Sequence, residues 1–277
     1  MSINSYKKIV WGAGLAAACA FGTVGVANAA PSFTVNPTVI GNDFLEGLGF
    51  GAAPFDSDFI QGQSSSQVIL GADGITQAGA GWLNLTGFSG HNSASSGLGF
   101  TFTLWAEYEY TAVVKSGVFG VPGSVSDITA LTYTLWASTN TNGAASTTAF
   151  SEATTSSAAA VNRGAFAQQI GFGSLISGDG GAVLNDQGGT GFNTVASYTN
   201  TEFGNTFFVA PSPFYNILFN NFNNTRQGVA VNGNVMAVNS ANGGVDFNAN
   251  RVPEPATLLL LGAGLIGLGF ATRRNKA

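Results

Sequence analysis

Cysteine and histidine are nearly absent from this 277-residue chain, which has one of each, Cys19 and His91. Charge is scarce too, 8% of residues against roughly a quarter in an average soluble protein. Cys19 falls in the apolar stretch near the amino end, so once that stretch is set aside no thiol is left. Disulfides, thiolate catalysis, cysteine-ligated zinc and iron–sulfur clusters are then excluded together. Basic residues are the rarest charges. Between Ala30 and Val252 there are four (Lys115, Arg163, Arg226, Arg251) against thirteen acidic residues, a balance of −9. Such a body repels nucleic acid and anionic headgroups, so no nucleic-acid partner is expected. An acidic polysaccharide would be held by neutral stacking and hydrogen bonds, or through bridging divalent cations.

What the chain does have is 39 glycines, many small polar residues and 45% hydrophobic residues. That is enough to build a core, and it points to a β-rich chain with frequent turns, as in exported surface proteins. The amino end agrees. Lys7 and Lys8 precede an apolar stretch, residues 9–26, that leads to Ala27-Asn28-Ala29. Charge, apolar run and small-x-small site in that order read as a secretory signal peptide, residues 1–29, cut before Ala30. Cleavage one residue later would place Pro31 directly after the scissile bond.

Period-2 alternation is clearest over residues 100–110: even positions are Phe, Phe, Leu, Ala, Tyr, Tyr and odd ones Thr, Thr, Trp, Glu, Glu. One face is apolar and the other polar. Thirty-one residues on, TFTLWA is echoed by TYTLWA in residues 132–137. Two copies do not make a solenoid; they predict neighbouring antiparallel strands, with Gly117, Gly120, Pro122 and Gly123 turning the chain. Further strands are expected at residues 33–40, 67–70, 81–88, 194–199, 206–210, 228–231 and 235–238, and short helices at 158–170 and 213–222. The expected fold is all-β, a two-sheet sandwich of jelly-roll type over residues 30–238. Residues 139–157 read as a long loop and 239–251 as a flexible linker.

No catalytic, metal or cofactor site is expected. His91 sits in a polar turn, and no serine has the nucleophile-elbow context that a triad would need. Glu107 and Glu109 share a strand face about 6.5 to 7 Å apart, near the lower limit for an inverting glycosidase, but alternation on an exposed face gives that spacing by itself. Asp56-Ser57-Asp58, and Asp179 with Asn185-Asp186, are oxygen-rich, yet they lack the ligand pattern of an EF-hand and read as turns. Trp82, Trp105 and Trp136 lie on the polar sides of their strands. A flat ring among Thr, Asn and Glu suits stacking on a sugar. The alternative is that a loop or second sheet covers them.

The tail joins Val252-Pro253-Glu254-Pro255, an apolar run over residues 257–271 and Arg273-Arg274. As a helix the run would rise roughly 22 Å, short of a roughly 30 Å hydrocarbon core. The basic tip suits a cytoplasmic end with the body outside. These three parts in order resemble the PEP-CTERM sorting signal of Gram-negative, polysaccharide-producing bacteria, residues 252–277. The resemblance implies a transient inner-membrane anchor, recognition by the membrane protease exosortase, cleavage near Pro253-Glu254-Pro255, and release to the envelope or extracellular matrix. The physics alone also permits a permanent anchor. Ser32-Phe33-Thr34-Val35-Asn36-Pro37, residues 53–62 and Gly81-Trp82-Leu83-Asn84 resemble the start of flocculation-associated PEP-CTERM proteins, which implies association with exopolysaccharide.

Overall fold

A computed structural model describes residues 32–40, 53–140, 148–212, 216–222 and 228–247. Strand β1 (Phe33–Val35) leads to a 3-10 turn at Pro37–Val39, started by the Asn36 side chain accepting from the Thr38 amide. Next come β2 (Phe55–Ser57), β3 (Ile60–Leu70), β4 (Thr76–Phe88), helix α1 (Ser93–Ser96), β5 (Phe102–Ser116) and β6 (Ser124–Thr139). A small hairpin, β7 (Ala149–Ser151) with β8 (Ala160–Asn162), precedes β9 (Gln168–Leu184), β10 (Thr190–Ala196) and β11 (Thr199–Asn200). Helix α2 (Gly204–Phe207), β12 (Phe208–Ala210), β13 (Ile217–Phe222), β14 (Val229–Asn232) and β15 (Val235–Asp246) complete the order.

The all-β expectation holds, with a different layout. Pairing runs β3-β4-β5-β6-β9-β10-β13-β15 and β15 pairs with β3 again, every pair antiparallel. These eight strands form a closed ring in which neighbours in sequence are neighbours in space. A jelly roll needs long crossings between two sheets, and the described strands make none. The opposed walls belong to one meandering barrel, which leaves no open edge along the ring.

Side-chain parity follows the closure. On β5 the even positions Phe102, Leu104, Ala106, Tyr110 and Ala112 are buried inside. On β6, Thr111 pairs with Ala130 but Ala112 with Ile128, so Thr129 is an extra, bulged residue. Parity flips there: Ser124, Ser126 and Ile128 are buried before it, and Leu131, Tyr133, Leu135 and Ala137 after it. Large rings need small partners inside so narrow a ring. A side chain on Gly79 would collide with the Tyr110 ring, and one on Gly171 with Tyr198.

One end of the barrel is capped by the sheet β12-β1-β2. Phe33 packs 4.8 Å from Phe247, 5.9 Å from Phe208 and 6.5 Å from Phe88, measured between ring centroids. The first and last described segments therefore meet at this end.

Three further expectations are corrected. Residues 158–170 form β8 and the start of β9, and residues 217–222 form β13, where short helices were expected. The linker expected from residue 239 is the second half of β15, which pairs with β3 and β13 as far as Asp246. Its polar, glycine-rich sequence reflects a bulge with Ser240 at φ 53 and the Phe59 ring lying against Gly244.

Candidate functional site

Register brings the three tryptophans together on the outer face of the barrel. Trp105 lies opposite Trp136 and Asn84, and Trp82 lies opposite Glu107. The Trp105 and Trp136 rings are 6.4 Å apart at 15°, nearly parallel. Neighbouring strands and a shared face were thus readable from the repeat.

The face is not open. The arm between β6 and β9, carrying the β7–β8 hairpin, lies across it. Phe150 sits 5.0 Å from Trp82 and 6.1 Å from Trp105, and the Trp82 indole N–H donates to the Ser151 carbonyl at 2.9 Å. Further along, the Ala153 amide donates to Ser65 Oγ at 2.8 Å, and Ser65 donates to Asn239 Oδ1 at 2.6 Å. The Asn239 amide returns a bond to the Ala153 carbonyl at 2.8 Å. Gln67 donates to the Thr154 carbonyl at 2.7 Å. Trp105 is fully buried and Trp82 is 6% exposed, while Trp136 is half-buried. Of the two readings of Trp82, Trp105 and Trp136, the covering loop matches the structure and the open sugar-stacking platform is corrected: their polar neighbours bind the chain's own arm.

Arg163 closes the arm. Its guanidinium donates twice to the Glu107 carboxylate, at 2.8 and 2.9 Å, and lies 4.2 Å above the Trp136 ring. Glu107 also accepts from the Trp105 indole N–H at 2.9 Å. Partial burial would raise the Glu107 carboxyl. The hydrogen bonds from Arg163 and Trp105 and the guanidinium charge outweigh it and hold that group below the ordinary carboxylate range. Glu107 is therefore committed to the arm, whereas Glu109, on the same face, is exposed. The sequence reading passed over Arg163, 56 residues from its partner. The available signal was its rarity, one of four basic residues in the body.

Beside the arm the outer face is hollowed. A groove of about 450 Å³ has a floor of Ala78, Ala80 and Ala130 and a rim of Gln67, Glu109 and Thr111. A second hollow of about 280 Å³ shares Ala80, Glu109 and Thr132 with it and reaches Glu107 and Arg163.

His91 is structural: Nε2 is 2.9 Å from the Asp56 carbonyl and the ring lies 4.2 Å from Phe55. Asp56 accepts from the Thr34 hydroxyl at 2.6 Å, joining β2 to β1. Among the described residues no group of three or more His, Cys, Asp or Glu is arranged to hold a metal ion, and no helix is long and apolar enough to cross a membrane. Ala27, Ala29, Pro253, Glu254, Pro255, Arg273 and Arg274 lie outside the described residues.

The barrel and the tripartite tail describe an all-β protein with a carboxy-terminal sorting tag. Residues 251–274 match the family described as the PEP-CTERM protein-sorting motif, so the chain carries a PEP-CTERM sorting signal, which indicates an exported protein sorted at the membrane by exosortase. No curated protein and no solved structure matches the chain.

Proposed function

We propose that the protein is a non-enzymatic component of the outer surface or extracellular matrix of a Gram-negative bacterium, which helps hold cells together as flocs or biofilm by associating with exopolysaccharide. The observation that carries this reading is the sorting motif at residues 251–274. The resemblance of the segment after the leader to flocculation-associated proteins adds the role in aggregation. A non-catalytic role is supported by Glu107, whose carboxylate is already occupied by Arg163 and Trp105. With the tryptophans covered, sugar contact falls to the groove beside the arm. There Gln67, Glu109, Thr111 and Thr132 offer hydrogen bonds over a flat alanine floor.

The test is deletion of the gene in its own host. Cells are expected to disperse while polysaccharide synthesis continues, and a deletion strain that flocculates normally would overturn the reading. Two alternatives separate in the purified protein. A carbohydrate-binding module shows glycan affinity without turnover, and a polysaccharide hydrolase shows turnover that is lost in Glu107→Gln or Glu109→Gln.

A further inference from the structure

The end of the barrel opposite the phenylalanine cap is differently built. A cavity of about 60 Å³ lies inside the ring there, bordered by Tyr108, Tyr110, Phe192, Met236 and Phe119. Phe192 is 5.1 Å from Tyr110 and 6.1 Å from Tyr108, so three rings form an aromatic wall. The polar groups of the lining are the hydroxyls of Ser66, Ser124, Ser126 and Thr190 and one carboxamide, that of Gln77, which is only 5% exposed and donates to Ser126 Oγ at 2.8 Å. At about 30 Å³ per molecule the space takes about two waters and no ring.

Over this cavity runs the loop between β5 and β6. Gly117, Gly120 and Gly123 all have positive φ, at 77°, 71° and 87°, and Gly120 presses so closely on Val231 that a β-carbon would collide. The loop turns Phe119 inward, where it is 9% exposed and packs with the core, and leaves Val118 65% and Val121 49% exposed. The mouth thus has an apolar collar and an aromatic plug supplied by the chain itself. A phenyl group that borders an unfilled space together with three aromatic rings and a buried carboxamide indicates the shape and polarity that the site takes.

We propose that this barrel end is a binding site for a small phenolic ligand, a single aromatic ring bearing one hydroxyl, which displaces Phe119 and hydrogen-bonds with Gln77. The site is independent of the exopolysaccharide reading: it lies inside the barrel, and the groove beside the arm lies outside. In the resting protein the plug competes with the ligand, so apparent affinity is reduced by the fraction of molecules in which the loop is open.

The test uses the mature secreted protein, with p-cresol as probe and toluene as its hydroxyl-free counterpart, by titration calorimetry. Phe119→Ala is expected to bind p-cresol at least about tenfold more tightly than the unaltered protein, because it no longer has to expel its own ring. Phe119→Leu keeps an apolar plug and should shift affinity in the same direction by less, which preserves the test if the alanine variant fails to fold. Adding Val68→Phe, which fills the cavity, should abolish binding in either background. Gln77→Leu should remove the preference for p-cresol over toluene. Folded plug variants that bind p-cresol no better than the unaltered protein would overturn the site. A preference unchanged by Gln77→Leu would overturn the phenolic assignment.

Discussion

At the scale of single residues, Arg163 decides what the tryptophan face is. One guanidinium pairs with Glu107, covers Trp136 and fixes the end of the arm, and Glu107 in turn holds the Trp105 indole. Trp105 is a core residue in all but strand parity, and Trp105→Ala is expected to lower stability by about 3–5 kcal/mol, read from denaturant unfolding. A loss below about 1 kcal/mol would mean the ring is not packed as described. The ion pair gives a pH signature. Because the folded-state pKa of Glu107 lies below its ordinary value of 4.5, the pair's contribution is full above that pH and is lost as pH falls through the lowered value. The melting temperatures of the unaltered protein and Glu107→Gln should therefore differ most near neutrality and converge below about pH 4.5. A gap constant down to pH 3 would contradict this.

At the scale of elements, strand parity was legible where large and polar residues alternate, as in β5 and the second half of β6. It was illegible in β3 and β9. There Gly62, Ser64 and Ser66 line the inside opposite Leu85, Leu83 and Gly81, and Gly171 lies beneath Tyr198, so a strand that faces large rings with small residues shows no hydrophobic period. The arm was hidden for another reason. Residues 148–157 have a loop-like composition and 158–163 a helix-like one, and their structure comes from long-range bonds to Ser65, Asn239, Gln67 and Glu107 that no local pattern encodes. The polar side of Trp82, Trp105 and Trp136 was legible, and so was the reading that a loop or second sheet covers them; which segment covers them was not, because the arm is placed by contacts far apart in the chain. Replacing residues 148–163 with a short glycine-serine linker should expose all three rings and shift tryptophan emission to the red in a protein that keeps its β spectrum. Unchanged emission would show that the arm does not shield them.

At the scale of the whole molecule, the barrel has a polarity set by its chain ends. The segment after the leader and Phe247 meet at the phenylalanine cap, and Val252 follows after only four more residues, a reach of at most about 18 Å from Phe247 even when extended. The sorting motif that follows is the one part of the function that the sequence states outright. The central claim is tested most directly by the intact mass of the protein recovered from spent medium and from membranes of a host with active exosortase. The account predicts a released form that begins near Ala30 and ends near Pro253. Recovery of only full-tailed protein, all of it in the membrane, would contradict it.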